Sequence, residues 1–363
     1  MTRSPPRQHS SKPEQIRDLA TCPAMPARSR SPLPTVICVT PVKNEEWILE
    51  RFLDCAAQWA DHIIVLDQCS TDRSREIAGR HRRVRLIVDD DPCYDEARRQ
   101  RTLIQAAREI EGPRLIMALD ADEALSADTM SSAAWGAALR AQPGTVLRLR
   151  WANLLPGCDR AWIGPDSIAF GFVDDGREHD GLALHSTRVP AGEDQPSIDL
   201  DEQFVLHYQY AAWSRMKSKQ RWYQCWERLH HPQKRPIQLY RQYHFMDAVP
   251  ESQVRPADPR WFAAYEQAGL DMKAVSEQRW YPWDEDVLEW LVAHGPKRFA
   301  RLDVWDPDYR ALAEHLGRSP GSALGDPRGI PTRLVHSWLA RTQHRSHERG
   351  IRLLQRALIP LGW

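Results

Sequence analysis

The sequence lacks several short motifs that identify common nucleotide-binding and hydrolytic enzymes. Its 363 residues contain no G-x-G-x-x-G fingerprint, no Walker A loop and no H-E-x-x-H pair. These motifs provide, respectively, a dinucleotide-binding turn, a phosphate-binding lysine and a pair of zinc ligands. The sequence therefore gives no support to a Rossmann dinucleotide-binding, a P-loop or a zincin-type metalloprotease function.

The chain also has no net charge, few cysteines and no long apolar run. Lysine plus arginine and aspartate plus glutamate both total 49, whereas a dedicated nucleic-acid-binding protein is normally basic. The 7 cysteines are scattered without a C-x-x-C pair, which is typical of reduced thiols in a cytoplasmic protein. No apolar run approaches the roughly 18–20 residues of a membrane span. We therefore expect a cytoplasmic protein without a nucleic-acid partner.

Tryptophan is present in unusual number and is unevenly distributed. Twelve of the 15 tryptophans lie beyond residue 150, so the two halves of the chain differ in composition. At roughly 150 residues per domain, the length fits two domains or one large domain with an appendage. Residues 1–33 are rich in Pro, Ser and Arg, and we expect them to form a disordered tail.

The first half alternates short apolar runs with helical patterns. Predicted strands are Thr35–Thr40, His62–Leu66, Val84–Val88 and Leu115–Leu119; predicted helices lie near Trp47–Trp59, Ser74–His81 and Asp95–Glu111. Strands and helices that alternate with short connections predict an α/β fold with a mostly parallel sheet and helices on both faces. Ligands of such sheets bind at the carboxyl ends of the strands.

Acidic residues follow three of the four predicted strands. The segments are Pro41–Glu46, Asp67–Asp72 and Asp120–Glu123. Carboxylates crowded at one edge need a cation or hydrogen-bond donors to offset their repulsion. Their oxygens favour Mg²⁺ or Mn²⁺, and an Asp-x-Asp pair is suited to bridging such a metal and a diphosphate.

These segments together resemble the family 2 glycosyltransferases. The resemblance rests on V-x-P-V-K-N-E-E at residues 39–46, I-I-V-L-D-x-x-S-T-D at residues 63–72 and L-D-A-D-E at residues 119–123. It extends over roughly residues 35–155. It implies a GT-A fold, a Rossmann-like sheet that binds a nucleotide-sugar, and a requirement for Mg²⁺ or Mn²⁺.

The resemblance also implies roles for individual residues. Pro41 and Glu45 would border the base and ribose of the nucleotide, and Asp67 would accept a hydrogen bond from the base, commonly uracil. Asp120 would face the ribose and diphosphate, and Asp122 would bind the metal.

An arginine on the helix before the Asp-x-Asp strand would face the nucleotide, with Arg98 and Arg99 as the two candidates. From the residues alone, Asp67 and Asp72 are also suitable as helix caps.

The second half would supply the acceptor site and the general base. An inverting transferase needs a carboxylate to deprotonate the acceptor hydroxyl. We predict Asp175 for this role, with Asp174 next and Asp180 third, in a loop over residues 170–180. Ordinary loop acids are the alternative for each.

Further candidates follow this loop. His207 would be an additional metal ligand or an ordinary half-buried histidine. Lys217 or Lys219 would reach the diphosphate or lie on a solvated helix face, and His185 and Arg188 would contact the acceptor or phosphate or belong to a turn.

We divide the chain at the points where its composition changes. Residues 34–155 would form the nucleotide-sugar-binding half of a GT-A domain, residues 156–249 its acceptor-side half and residues 250–363 a helical, Trp-rich extension. Tryptophans such as Trp283, Trp290 and Trp305 suit a sugar face or a helical core. The last stretch, residues 333–363, holds six arginines against Glu348 and is suited to a peripheral contact with anionic lipid or to a solvated tail.

The predicted function is that of an inverting glycosyltransferase. It would move a sugar from a nucleotide-diphosphate donor, most simply a UDP-sugar, to a hydroxyl of a carbohydrate, lipid or small-molecule acceptor in bacterial polysaccharide or glycolipid synthesis. The alternatives are a sugar-phosphate nucleotidyltransferase and a non-catalytic protein that binds sugar nucleotides.

Overall fold

One mixed sheet forms the centre of the fold. The computed structural model describes residues 33–192, 194–319 and 324–363, so the predicted disordered tail lies outside the described residues except for Leu33. Ten strands of the described chain share this sheet. They are β1 (Thr35–Val42), β2 (His62–Gln68), β3 (Val84–Asp89), β4 (Arg114–Ala118), β5 (Glu123–Leu125), β6 (Val146–Leu154), β7 (Arg160–Ile163), β8 (Ile168–Val173), β9 (Ser197–His207) and β10 (Val254–Pro256).

The first four strands form the parallel part of the sheet. They lie in the order β3, β2, β1, β4, and each neighbouring pair is parallel. In β1, Val36 and Cys38 contact one hydrophobic cluster, and Ile37 and Val39 contact another. Successive side chains of a strand point to opposite faces, so this strand is buried on both sides and has no polar alternation.

Helices cover both faces of this parallel part. The α-helices of the described residues are α1 (Leu49–Ala56), α2 (Ser74–Arg80), α3 (Glu96–Arg108), α4 (Ala133–Ala138), α5 (Trp213–His230), α6 (Pro236–Tyr243), α7 (Ala263–Gln267), α8 (Pro282–His294), α9 (Tyr309–His315), α10 (Ile330–Arg341) and α11 (Arg349–Leu358). Helices α1, α2 and α4 pack in the cluster of Val36, whereas α3 packs in the cluster of Ile37. The predicted α/β class, with a mainly parallel sheet and helices on both faces, is confirmed.

Beyond β4 the sheet becomes mixed, because most neighbouring strands are antiparallel whereas β6 and β9 are parallel. Strand β8 lies between β4 and β6 and is antiparallel to both. Its residues 170–173 were expected to belong to a loop, but Phe170 and Phe172 are buried within the sheet. Gly171 suits this pairing, because a Cβ at that position would require the side chain of Met117 on β4 to move.

The direction of β8 corrects the expected position of Asp175 and Asp174. Val173 pairs with Leu115, at the start of β4, so the residues after β8 lie at the edge opposite the Asp120–Glu123 loop. Asp174, whose side chain is buried, accepts hydrogen bonds from Arg108 and Arg114, and Asp175 pairs with Arg177. The prediction treated residues 170–180 as a loop, and residue spacing does not reveal the direction of β8.

The Trp-rich second half forms a helical core of its own. Residues of α5, α6, α8 and α9 share one hydrophobic cluster, which includes Trp222, Phe299, Trp305 and Tyr309. Trp305 is buried in it, whereas Trp283 and Trp290 are partly buried against it. None of the described helices is long and apolar enough to span a bilayer.

Asp174→Asn is expected to lower the free energy of unfolding at neutral pH by about 1–3 kcal/mol, because it neutralises a buried carboxylate that bridges two arginines. Burial alone would raise the pKa of Asp174, but hydrogen bonds from Arg108 and Arg114 hold it below its ordinary value. Such a carboxylate stabilises the fold above its unfolded-state pKa and loses that contribution as the pH falls.

Urea unfolding of the wild type and the Asp174→Asn variant should therefore differ at neutral pH and converge below about pH 4. An energy difference that stays constant between pH 7 and this range would contradict the assignment.

Candidate active site

A cleft of about 530 Å³ opens at the carboxyl ends of β1, β2 and β4. The loops after these strands line it on the sheet side, and residues of α5 and α8 line it on the other. This is the edge at which open α/β sheets bind their ligands. Pro41, Glu45, Asp120 and Asp122 are among its lining residues, so the structure brings these four predicted site residues together.

The loops after β1 and β2 are tied to each other by side-chain hydrogen bonds. Asn44 has a φ of 58°, a conformation that asparagine tolerates better than most residues. Its Oδ1 accepts from the backbone N–H of Thr71 at 2.7 Å. Asp72 accepts from the N–H of Ser74, at the start of α2, and from the N–H of Glu46. Asp72 therefore does more than begin a helix, because it also fixes the β1 loop.

Asp67 is fully buried at the end of β2 rather than exposed in the cleft. Its Oδ1 accepts two hydrogen bonds from Arg75, at 3.0 and 2.9 Å. Its Oδ2 is buried and has no hydrogen-bond partner among the described residues. A buried carboxylate oxygen without a partner is costly. The predicted hydrogen bond from a nucleotide base to Asp67 stays a prediction.

Glu45 is held by an arginine that the sequence analysis passed over. Its Oε2 accepts from the indole Nε1 of Trp47 at 2.8 Å and from Arg215 at 2.6 Å. The Arg215 guanidinium lies between the rings of Trp47 and Trp283, with its Cζ 4.7 and 4.6 Å from their centroids. Burial raises the pKa of Glu45, although Arg215 opposes the shift. This stack joins the β1 loop to α5 and α8.

Asp122 and His207 face each other in the interior of the cleft wall. Asp122 is only 3% exposed, and its Oδ2 has no hydrogen-bond partner in the described part of the chain. Nε2 of His207 lies 4.0 Å from that oxygen. Nδ1 of His207 is 2.9 Å from Oδ1 of Asn153, and a proton on Nδ1 leaves a lone pair on Nε2. Burial lowers the pKa of His207 to about 4, so its imidazole is neutral at neutral pH.

This pair fits a divalent metal that takes further ligands from elsewhere. An unpartnered carboxylate oxygen and a neutral imidazole are ligands that suit Mn²⁺, and the oxygen also suits Mg²⁺. No group of three or more His, Cys, Asp or Glu side chains in the described residues is arranged to hold a metal. Substrate phosphate and water would have to complete the coordination.

Asp120 and Glu123 share the single guanidinium of Arg188, which arrives from the loop after β8. Arg188 donates to Oδ2 of Asp120 at 2.8 Å and to Oε1 of Glu123 at 2.9 Å. Burial alone would raise the pKa of Asp120, but the charges of Arg188 and Lys219 lower it. Arg188 was predicted either to contact the acceptor or phosphate or to belong to a turn. In the structure it lies in the cleft, beside the Asp-x-Asp segment.

The structure places Arg99, rather than Arg98, at the cleft. Arg98 pairs with Asp89 at 2.8 Å and donates to the carbonyl of Cys93, so it holds the loop after β3. Arg99 lines the cleft, is 9% exposed, and has its Cζ 4.5 Å from the ring centroid of Tyr94. No carboxylate of the described residues lies within 4.0 Å of its guanidinium nitrogens. A buried, unpaired guanidinium is a site for an anion.

Of the two candidate lysines, likewise only one lies in the cleft. Lys219 lines the cleft, and Lys217 instead pairs with Asp247 at 3.0 Å outside it. Burial alone would lower the pKa of Lys219, but the charges of Asp122 and Glu45 raise it.

Two other candidates lie away from the cleft lining. The ring nitrogen Nε2 of His185 is 3.3 Å from the hydroxyl of Tyr243, and Asp180 is exposed.

Two residues of the cleft, Arg215 and Asp286, are not among those that the sequence analysis singled out. Asp286 lines the cleft at the beginning of α8, where its Oδ2 accepts from the indole Nε1 of Trp222 at 2.8 Å. Only a sequence signal for the packing of α5 against α8 would have identified both residues. The contact is distant along the chain, because Trp222 precedes Asp286 by 64 residues.

The fold and the cleft define a class of protein. A mainly parallel α/β sheet with acidic strand ends is consistent with the GT-A, Rossmann-like fold of nucleotide-sugar enzymes. Residues 37–134 match the family described as Glycosyl transferase family 2. This match covers most of β1, all of β2, β3 and β4, and the Asp120–Glu123 segment. It confirms the predicted resemblance and supports the enzyme class, a glycosyltransferase.

Solved structures give weaker likenesses. Glucosyl-3-phosphoglycerate synthase from Mycobacterium tuberculosis, solved with Mn²⁺, UDP and phosphoglyceric acid, is 21% identical over 25% of this chain and 34% of that chain, with a TM-score of 0.19. HddC from Yersinia pseudotuberculosis is 9% identical over 48% of this chain and 92% of that chain, with a TM-score of 0.30.

Mannose-1-phosphate geranyltransferase from Thermus thermophilus is 16% identical over 40% of this chain and 51% of that chain, with a TM-score of 0.25. The aligned part thus spans about a third of the synthase and half of this transferase. At these TM-scores the likenesses carry no inference about activity. No curated protein matches the sequence.

The contrast between the neighbouring arginines of α3 is testable with pyrophosphate and Mg²⁺. Arg99→Gln is expected to weaken pyrophosphate binding by about 1.5–3 kcal/mol, because a charged hydrogen-bond donor of the cleft is lost. Arg98→Gln removes the same charge from the same helix and should leave binding unchanged. Isothermal titration of both variants measures the effect, and equal losses would contradict the assignment of Arg99 to the cleft.

Proposed function

We propose that the protein is a metal-dependent inverting glycosyltransferase that uses a nucleotide-diphosphate sugar, most simply a UDP-sugar. The observation that carries the proposal is the Asp122–His207 pair, with its unpartnered carboxylate oxygen and free imidazole nitrogen. Five cationic side chains of the described residues line the same cleft, namely Lys43, Arg99, Arg188, Arg215 and Lys219. The family match over residues 37–134 supports the reaction class.

The cationic residues would bind the diphosphate of the donor. Arg99 has no carboxylate partner within the described chain and is therefore available for charge-assisted hydrogen bonds to phosphate oxygens. Lys219 carries a raised pKa because of Asp122 and Glu45, and it would add a point charge. Bound by Asp122 and His207, Mg²⁺ or Mn²⁺ would stabilise negative charge on the leaving diphosphate.

A carboxylate is still needed to deprotonate the acceptor hydroxyl, and the partners of the cleft carboxylates narrow the choice. Most of them are already engaged: Glu45 with Arg215, Glu46 with Arg73, Asp72 with two backbone N–H groups, Glu96 with Tyr94 and Ser186, Asp120 with Arg188, and Glu289 with Arg318. With Asp122 proposed as a metal ligand, Glu285 and Asp286 remain, both half-buried in the first turns of α8.

Asp286 is the better suited of the two. The hydrogen bond from the indole of Trp222 to Oδ2 fixes the orientation of the carboxylate and therefore the position of its other oxygen, Oδ1. Burial raises the pKa of Asp286, although the hydrogen bond from Trp222 opposes the shift. A carboxylate with a raised pKa is a stronger base. We therefore propose Asp286, rather than Asp175 or Asp174, as the base that takes the proton of the acceptor hydroxyl.

The acceptor and the location of the reaction complete the proposed function. We propose a carbohydrate or glycolipid acceptor in bacterial surface-polymer synthesis and a cytoplasmic location for the reaction. A sugar-phosphate nucleotidyltransferase remains the second candidate. It would release pyrophosphate from a nucleoside triphosphate and a sugar phosphate, whereas a glycosyltransferase would release a nucleoside diphosphate.

Nucleotide binding tests the proposed function directly. UDP, GDP and dTDP are compared by thermal shift with and without Mn²⁺, and one of them is expected to raise the melting temperature only when the metal is present. Asp122→Asn and His207→Gln should each abolish the metal-dependent part of the shift, because each removes one of two protein ligands.

Asp166→Asn is the matched control, since Asp166 is exposed and lies outside the cleft lining. If no nucleoside diphosphate shifts the melting temperature with metal present, the proposal fails. Pyrophosphate release from a nucleoside triphosphate and a sugar phosphate would favour the second candidate.

The role of Asp286 is testable through hydrolysis of the donor selected by that panel. Asp286→Asn is expected to lower kcat about 10²–10⁴-fold, the usual contribution of a general base, with little change in donor KM. The wild-type rate should fall as the pH drops through the raised pKa of Asp286, and the variant should lose this acid limb. Glu285→Gln is the neighbouring control, and an equal loss of kcat in it would overturn the assignment.

A further inference from the structure

The last helix of the chain has a fixed inner face and an unusual outer one. Ile351 of α11 is buried, Leu358 packs against a small cluster with Leu339 and Trp363, and the carbonyl of Gly362 accepts from Arg301 at 2.8 Å. These contacts set the rotation of α11 about its axis. The residues on its other side therefore face solvent in the folded protein.

Apolar side chains occupy part of this outer face. Leu353 and Leu354 are 63% and 55% exposed, and Leu361, just beyond the helix, is 64% exposed. At 100° per residue, Leu353, Ala357 and Leu354 fall within one arc of about 100° on the outer side. Single exposed leucines are common, but a contiguous exposed apolar arc on one helix indicates a binding surface.

Arginines occupy the adjoining arc of the same helix. Arg349, Arg352 and Arg356 are exposed, and their spacing of three and four residues places them side by side next to Leu353. The nearest acid, Glu348, is already paired with Arg345. The outer face of α11 thus presents apolar and positive arcs in parallel, without local acids to neutralise it.

We propose that the outer face of α11, defined by Arg349, Arg352, Leu353, Leu354 and Arg356, docks the protein on the surface of an anionic lipid bilayer. Such a helix lies in the plane of the membrane, with leucines between the acyl chains and arginines at the phosphates. This proposal is independent of the proposed function, since it rests on a surface outside the cleft lining.

Other occupants fit this surface less well. A symmetric contact between two copies would place the arginines of one α11 against those of the other, because a two-fold interface pairs a surface with itself. A nucleic acid would engage the arginines but would leave Leu353 and Leu354 in water. The bilayer satisfies both arcs at once.

Vesicle co-sedimentation of the full chain tests the proposal. The wild type is expected to bind vesicles of mixed phosphatidylglycerol and phosphatidylcholine, to bind pure phosphatidylcholine weakly, and to lose binding as NaCl rises to about 0.5 M. The double variant Leu353→Ser/Leu354→Ser should bind the anionic vesicles at least about tenfold more weakly. Val292→Ser, which alters an apolar side chain of α8 that is 67% exposed, is the matched control.

Charge is tested separately. The triple variant Arg349→Gln/Arg352→Gln/Arg356→Gln should weaken binding at least about tenfold. The triple variant Arg82→Gln/Arg298→Gln/Arg310→Gln removes the same charge from exposed positions elsewhere and should bind like the wild type. Circular dichroism and melting temperatures verify that each variant is folded.

Three outcomes would overturn the proposal. The wild type fails to bind anionic vesicles, or the α11 variants bind as well as their controls. Alternatively, light scattering shows a wild-type dimer that Leu353→Ser/Leu354→Ser converts to monomer, which would assign this face to a second copy of the chain.

Discussion

The carboxylates gathered at one edge of the sheet impose the constraint on which much of the structure depends. Parallel strands end at the same edge, so the acidic loops after β1, β2 and β4 meet there. Cations from later in the chain offset their repulsion. Arg188 reaches Asp120 and Glu123 from the loop after β8, and Arg215 reaches Glu45 from α5. Side chains from the second half of the chain thus offset part of the negative charge of the acidic loops in the first half.

The polar and charged groups that these contacts leave without a protein partner bear most directly on function. Among the described residues, Asp122 retains an unpartnered oxygen, Arg99 an unpaired guanidinium, and Asp286 a carboxylate held only by an indole. Buried polar groups are normally satisfied, and exceptions concentrate where a ligand is bound. In the proposed function, these three groups would hold the metal, bind the diphosphate and take the proton of the acceptor hydroxyl.

Tryptophan contributes to this arrangement in three ways. Trp305 belongs to the helical core, Trp47 and Trp283 hold Arg215 between their rings, and Trp222 fixes Asp286. An indole supplies a large apolar surface, a face that attracts cations and one hydrogen-bond donor. The abundance of tryptophan in the second half therefore reflects both packing and the positioning of charged side chains around the cleft.

The sequence by itself determined the parallel half of the fold and the acidic strand ends, because aliphatic runs and the residues after them are local features. Pro41, Glu45, Asp120 and Asp122 could be assigned to one edge for that reason, and residues 37–134 match a known family. Only the tertiary structure decided what joins that edge. The antiparallel direction of β8 moved Asp174 and Asp175 to the opposite edge, the rotation of α3 selected Arg99 over Arg98, and the packing of α8 on α5 brought Asp286 to the cleft. Strand direction, helix rotation and contacts between distant helices depend on non-local packing, which residue spacing along the chain does not specify.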